Sequence, residues 1–413
     1  MKTVQEALQN ILTQASQVTA ESEELPLQET LGRVLAKDAF SLVDVPPMDN
    51  TQMDGYALRS ADISQAGVTL RVSQRIPAGY VGLPIEVGTI ARIFTGASIP
   101  PGVDAVVIQE DCEVVGSPND KGLDHLVRIN TLPKPGQWIR RRGEDLSANQ
   151  IALKAGLTLR PQDLGVAASA GLTHLSVYRR LKVAIFFTGD ELTAPGQPLK
   201  PGSIYNSNRD TLLACLKGLG CIVTDFGIIP DTLEITRDTL RKAAMEHDLI
   251  ITSGGVSVGE EDHVKPAVEA EGQLDMWKIA MKPGKPLAFG SIRKVHQAQE
   301  KTWFMGLPGN PVSSFVTFLL FVRPFIYALQ GRSATNSPTY MMRADFEVLK
   351  ADARNEFLRV KVNSQGGLDL FSNQSSGVLT SASWGDGLVD NPVGGIIQQG
   401  DLVKYIPFSG LLN

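Results

Sequence analysis

The stretch DLIITSGGVSVGEEDHVK, residues 248–265, is where the fold becomes readable. Leu249–Ile251 is a short apolar run without polar alternation, the mark of a strand buried on both faces. It ends in Gly254-Gly255, and Gly259, Glu260, Glu261, Asp262, His263 and Lys265 follow. The same design recurs on either side of it. KVAIFFTG (182–189), CIVTDFGII (221–229) and KTWFMGLPGN (301–310) are apolar runs that close on glycine or proline. Amphipathic segments separate them. NRDTLLACLKGLG (208–220) gathers Leu212, Leu213, Leu216 and Leu219 before a glycine stop, and LEITRDTLRKAAMEH (233–247) forms a second helix. Asn310-Pro311 opens a longer apolar helix, with Asn suited to the cap and Pro to the first turn. Buried strands alternating with such helices predict a parallel sheet covered on both faces. Ligands in such folds sit beyond the carboxyl ends of the strands. The glycine-rich stretches TGDEL, GIIPD, SGGVSVGEED and LPGNP all fall there.

The rest of the chain frames this domain. A length of 413 residues predicts two to four domains. The net charge of −5 argues against nucleic acid or an anionic membrane as a partner. Cys112, Cys215 and Cys221 make no C-x-x-C pair, so they read as thiols in a reducing compartment. Residues 1–40 read as helical, since Val4, Ala7, Leu8, Ile11, Leu12 and Ala15 keep an i, i+3/i+4 rhythm. That rhythm is unlike a signal peptide. FVTFLLFVRPFIYAL (315–329) is interrupted by Arg323-Pro324 and reads as a buried helix, so a cytoplasmic protein is expected. Residues 45–146 hold short β-type runs between Gly/Pro turns. Residues 147–177 return to a turn and a short helix, as if the β module were inserted into a split N-terminal domain that begins with 1–44. An α/β domain over 178–328 and a small β domain over 329–413 complete the division.

Several clusters carry chemistry. Gly254, Gly255 and Gly259 allow close backbone approach to an anion, although such turns are as often structural. The spacing matches neither a Walker loop nor a dinucleotide fingerprint. Asp190, Glu191, Asp231 and Asp262 follow strand-like runs and converge at one edge in this reading. There they suit a divalent cation that shares its shell with phosphate. Lys278, Lys282 and Lys285 lie on WKIAMKPGKPLAFG (277–290) and read as a local oxyanion site stiffened by Pro283 and Pro286. Arg140, Arg141 and Arg142 precede Gly143-Glu144-Asp145 in the β module, where a polar edge strand is the alternative. VPPMDNTQMDGYAL (45–58) brings Asp49 and Asp54, and FTGASIPPGVDAVV (94–107) brings Thr95. Among His125, His174, His247, His263 and His296, only His263 falls in a candidate site, and a structural role is favoured even there. No G-x-S-x-G nucleophile elbow occurs.

QMDGYA, FTGASIP, RRRGED, TGDEL, SGGVSVGEEDHVK, KIAMKPGKP and GLPGNPVS, in that order, resemble the molybdopterin molybdenumtransferase family (bacterial MoeA and the gephyrin E domain). The resemblance covers residues 1–413. It implies an α/β multidomain fold with a central three-layer, doubly wound, MogA-like domain. A split helical, dimer-forming domain, an inserted β domain and a C-terminal small β-barrel surround it. It also implies a homodimer whose active site lies between subunits, and insertion of molybdate into adenylylated molybdopterin with release of AMP, supported by Mg²⁺ or another divalent cation. Its implied partners are the molybdopterin-adenylylating protein and molybdoenzyme maturation factors. By this match Lys278, Lys282 and Arg140 hold molybdate or phosphate oxygens, with Gly254, Gly255, Lys285 and Pro308 also binding substrate. Asp231 and Asp262 bind metal or the pterin nucleotide. Glu191 and Asp145 order the site, Asp54 and Thr95 come from the partner's β domain, and Ser376 lies near the pterin. Asn206, in SIYNSNRDTL, departs from the aspartate that many members carry. Molybdopterin adenylylation, which residues 178–328 alone resemble, and a gephyrin-like scaffold are the alternatives.

Overall fold

The computed structural model describes residues 1–15, 21–117, 119, 123–255, 263–294, 301–333 and 337–412. Gly259, Glu260, Glu261, Asp262 and His296 lie outside the described residues. Eleven elements build the central body: helix α1 (Val4–Ala15), β1 (Lys182–Thr188), α2 (Ser207–Gly218), β2 (Ile222–Ile229), α3 (Leu233–Glu246), β3 (Leu249–Ser253), α4 (Val264–Glu271), β4 (Gly272–Lys278), β5 (Pro286–Arg293), β6 (Lys301–Leu307) and α5 (Pro311–Leu329). The six-stranded sheet runs β2-β1-β3-β6-β5-β4. The first four strands are parallel, and β5 and β4 are antiparallel. The sheet is therefore mixed rather than wholly parallel. The PGKP turn between Lys282 and Pro286 sends β5 back alongside β4, and no helix intervenes.

Both faces of the sheet are covered, which is why its central strands read as unbroken apolar runs. Val183, Ile185 and Phe187 of β1 pack with Leu212 and Leu216 of α2, Phe318 and Phe321 of α5, and Ile11 of α1. Ala184 and Phe186 face Leu240 and Ala243 of α3 and Val264 and Ala267 of α4. Helix α5 is long and apolar enough to cross a membrane by composition alone, yet 89% of it is buried inside the protein. Its Arg323 donates to Ser337 Oγ and the Gly410 carbonyl and lies over the Tyr327 ring.

The expected helical character of residues 1–40 holds for Val4–Ala15 and fails from residue 21 onward. Helix α1 packs into the α/β core through Ala7, Ile11 and Ala15. Residues 21–44 instead form short strands. Ser22–Pro26 pairs antiparallel with His174–Tyr178, and Ala39–Phe40 pairs with Ile151–Leu153. Pro26 has no N–H to continue a helix, and pairing with a distant segment overrides local propensity. The only helix of residues 147–177 is Pro161–Ser169. Residues 55–129 contain a six-stranded sheet with apolar clusters on both faces. After α5, strands Tyr340–Arg343, Asn355–Val362, Leu368–Leu370, Gly387–Asn391 and Leu402–Pro407 form one ladder, joined by Met281–Lys282. A bridge from Ala344 to Leu368 carries the ladder round towards its start.

Arg179, just after strand His174–Tyr178, is tied to this body. Its two terminal nitrogens donate to the Asp248 carboxylate at 2.8 and 2.7 Å, and the Lys182 N–H adds a third bond at 2.8 Å. Burial alone would raise the Asp248 pKa, but these bonds overcome it and hold it below its ordinary value of 3.8. Asp248→Ala is expected to lose ~2–3 kcal/mol by urea titration, because the part-buried guanidinium loses its two-bond partner and keeps as carboxylate only Glu21, which accepts from Nε at 2.6 Å. A depressed carboxylate pKa contributes stability above the unfolded value. That contribution fades as pH falls through the folded pKa. Wild type is therefore expected to lose this increment below pH ~3.8, and the variant to show a shallower acid slope there.

Candidate active site

The carboxyl ends of β1, β2, β3 and β6 open into a cleft of about 890 Å³. Sheet order reverses between β1 and β3, where α/β folds place their ligands. Gly254 lets the strand ends close up. Its N–H donates to the Leu307 carbonyl, its φ is +97°, and a Cβ there would sit 2.6 Å from the Thr188 carbonyl oxygen. Gly254→Ala is expected to cost ~2–4 kcal/mol in a denaturant midpoint experiment, combining a disfavoured φ with that clash. A polar clamp reinforces the corner. Asn208 Nδ2 donates to Ser253 Oγ at 2.9 Å and to the Gly309 carbonyl at 2.7 Å, and Ser253 Oγ donates to the Pro308 carbonyl at 2.9 Å.

The facing wall comes from the C-terminal domain, through Arg354, Gln374, Ser375 and Ser376. The Val312 N–H at the start of α5 donates to the Ser376 carbonyl and seats that loop. Behind it lies Arg359, 1% exposed. Its guanidinium donates to Ser381 Oγ, Phe357 O and Ser375 O, and among the described residues it has no carboxylate partner. Burial lowers its pKa to about 10. A cation with only neutral partners adds positive potential to the cleft wall.

Glu191, Asp231, Lys282, Lys285, Gly254, Gly255, Pro308 and Ser376 all line this cleft, as the sequence led one to expect. Their electrical states differ. Lys282 Nζ donates to Glu356 at 2.9 Å and to Asp352 at 3.5 Å, and the Glu356 bond is the main reason its pKa is raised. Its charge is thus largely offset within the chain, by carboxylates that the sequence reading did not pair with it. Lys285 is exposed in the cleft and has no partner among the described residues. Lys278 does not line the cleft. It ends β4 as an exposed residue, one position beyond the inward-facing Trp277. Asp262 lies outside the described residues, while Asp190 is exposed and His263 intermediate, and neither lines the cleft.

The four predicted residues within 45–146, Asp54, Thr95, Arg140 and Asp145, do not line the cleft. Asp54 Oδ1 accepts from the Thr95 hydroxyl at 2.6 Å and from its N–H at 2.7 Å, and the hydroxyl bond is the larger cause of its lowered pKa. Arg140 and Asp145 border a separate hollow of about 360 Å³ with Val45, Pro46 and Glu144. Arg141 is tied to Asp49 and Arg142 to Asp44. Arg140 is the member of the triplet without a partner among the described residues. His247 is structural, bonded at both ring nitrogens to Ala243 O and Thr224 Oγ1. Burial pushes the Cys215 and Cys221 thiols up to about 12, so they are inert at neutral pH.

Three buried polar atoms on residues of the cleft have no partner among the described residues: Thr188 Oγ1, Asn206 Nδ2 and Asp231 Oδ1. Native interiors satisfy nearly all such atoms, so this concentration marks a place for a polar ligand. No group of three or more His, Cys, Asp or Glu side chains could hold a metal among the described residues. Mg²⁺ nevertheless takes one or two carboxylates and completes its shell with substrate oxygens and water. The unpartnered Asp231 Oδ1 fits that donor set. Asn208, Ser253, Asn310, Arg354, Gln374 and Arg359 escaped the sequence reading. The N-cap position of Asn310 was anticipated, but its side chain makes no capping bond and borders the cleft.

Comparison with known proteins places these features. Residues 2–171 match the MoeA N-terminal region (domain I and II), 184–328 a probable molybdopterin binding domain, and 342–408 the MoeA C-terminal region (domain IV). A molybdopterin molybdenumtransferase of Haemophilus influenzae is 39% identical over 423 residues, covering 100% of both chains. Gephyrin of Dictyostelium discoideum is 33% identical, covering 100% of this chain and 63% of its own. The crystal structure of a molybdopterin biosynthesis MoeA protein from Pyrococcus horikoshii superposes with a TM-score of 0.83 at 28% identity, covering 98% of this chain and 100% of that one.

Proposed function

The chain belongs to the molybdopterin molybdenumtransferase family, and from that premise we propose how its cleft works. The enzyme acts in molybdenum cofactor biosynthesis by inserting molybdenum into molybdopterin. In this reading the pterin arrives adenylylated. Molybdate meets its dithiolene in the cleft, the adenylyl phosphoanhydride is cleaved, and AMP leaves. One molybdate oxygen departs as water with the two thiol protons, and one water is consumed at the anhydride.

The observation that carries this reading is the set of polar atoms in the cleft, together with Lys285, that have no partner among the described residues. Two anionic substrates repel each other, so the protein must supply donors and positive potential where they meet. Lys285, the buried Arg359 and the amino ends of α2 and α5 provide it without a basic surface overall. Thr188 Oγ1 and Asn206 Nδ2 orient oxygens. Asp231 would hold Mg²⁺, with Asp262 as its second carboxylate by family resemblance. When bound, the ion offsets charge on the phosphoanhydride oxygens. Glu191 orders the mouth of the cleft beside Gly189.

We place Asp54, Thr95, Arg140 and Asp145 in the same reaction through a second subunit. Asp54 is held by Thr95, and Arg140 has no side-chain partner among the described residues, which suits groups that serve a site outside their own chain. The partner's inserted β domain then faces the cleft of the α/β body in a homodimer. The direct test supplies adenylylated molybdopterin and Mg²⁺ and follows AMP. Release that depends on molybdate is expected, whereas pterin binding without any AMP release would refute the catalytic reading.

A further inference from the structure

Asn206 is 2% exposed and stands immediately before the first residue of α2, a helix of 12 residues. Its Oδ1 accepts the Arg209 N–H at 3.2 Å. That bond decides which way the amide is turned, because the reverse orientation would set one donor against another. Nδ2 is thereby directed away from the helix, and it has no partner among the described residues. The residue lines the cleft, as does Thr188, whose hydroxyl likewise has no partner among the described residues. A cap alone does not explain this arrangement, since serine or threonine would satisfy the Arg209 N–H without burying a second donor. The Arg209 guanidinium is engaged by Asp225 and Asp210, so it does not compete for whatever Asn206 binds.

We infer that Asn206 Nδ2 is a substrate-recognition donor that binds an unprotonated oxyanion oxygen at the amino end of α2. The inference rests on the assignment of the cleft as the molybdenum-insertion site. The atom presented here is a donor on a helix end of positive potential, so this corner takes an acceptor and disfavours a metal cation. Two substrates carry such oxygens: the phosphoryl groups of the adenylylated pterin, and molybdate.

Asn206→Ser and Asn206→Asp both retain an oxygen able to cap α2, so both are expected to melt as wild type does. Serine removes the amide donor without adding charge, and aspartate replaces it with an anion. AMP, inorganic phosphate and molybdate are each titrated alone into wild type and both variants by calorimetry. Asn206→Ser is expected to weaken one class of oxyanion about tenfold, the loss of a single good hydrogen bond, and Asn206→Asp to weaken the same class further. Losses with AMP and phosphate assign the oxygen to a phosphoryl group; a loss with molybdate alone assigns it to the metal oxyanion. Wild-type affinity of both variants for all three anions would overturn the inference. So would equal losses for every anion accompanied by a lowered melting temperature, which would mark Asn206 as a structural cap. AMP release is measured on wild type in parallel. Active wild type with unmoved affinities sinks this inference alone, whereas inactive wild type sinks the reading beneath it.

Discussion

Asp231→Asn is expected to leave the fold intact and to cut molybdate-dependent AMP release by at least about a hundredfold. Asp231 Oδ1 is buried and has no partner among the described residues. Changing the carboxylate to an amide of the same shape therefore breaks no bond that holds the structure. The melting temperature is therefore expected to stay at the wild-type value. The cleft, in contrast, loses the group proposed to hold a divalent cation against the phosphoanhydride. Activity and stability should thus move independently, as expected where a site is built at some expense to the fold. Thermal melting and AMP chromatography on the same preparation decide the matter. Turnover within a few-fold of wild type would remove Asp231 from the mechanism, and a large drop in melting temperature would make its role structural. Magnesium titration in the presence of AMP gives a readout that does not depend on turnover, and the variant should bind the ion more weakly.

The second large effect concerns the subunit arrangement. Asp54→Ala is expected to be inactive, and mixing it with inactive Asp231→Asn should restore activity. If the inserted domain of one subunit completes the cleft of the other, each mixed dimer holds one site with both lesions and one with neither. Random exchange makes half of the dimers mixed, so about a quarter of wild-type activity should return. A site built within one chain would give no recovery, because every cleft would carry a lesion. Size-exclusion chromatography of the single variants checks that both form the same assembly as wild type. Asp54 makes its side-chain bonds to Thr95, so the alanine variant loses a local loop contact and keeps the apolar clusters of its domain.

Much of the central body was legible because burial on both faces leaves a strong trace. Val183 to Phe187 must be apolar at every position when helices cover both sides of the sheet. The helices between strands show their faces through leucine spacing, and glycines mark the strand ends. The antiparallel edge was not legible, since β4 (GQLDMWK) lacks the unbroken apolar run of the central strands and only the turn between Lys282 and Pro286 returns β5 beside it. The strands of residues 21–44 were hidden for a related reason. Ser22–Pro26 is held by His174–Tyr178, which lies far along the chain.

The site divides in the same way. The sequence by itself determined a set of candidate groups: Glu191, Asp231, Gly254 and Lys285 line the cleft, as does Ser376 from the family resemblance, whereas Lys278 and Asp190 do not. It also determined that no nucleotide fingerprint, catalytic serine elbow or disulfide frame would explain them. Tertiary structure alone decided which of those groups are free to act. Lys282 and Lys285 are indistinguishable as letters three positions apart, yet Glu356 and Asp352 neutralise the first and leave the second open. Arg359 could have been any surface arginine until folding buried it behind the Ser375 loop. The amide of Asn206 acquired a direction only when α2 formed and fixed its oxygen. The physical reason is common to all three. Local patterning specifies the residue type and the face it occupies, but the energy of a charge or donor depends on partners and burial that distant segments supply.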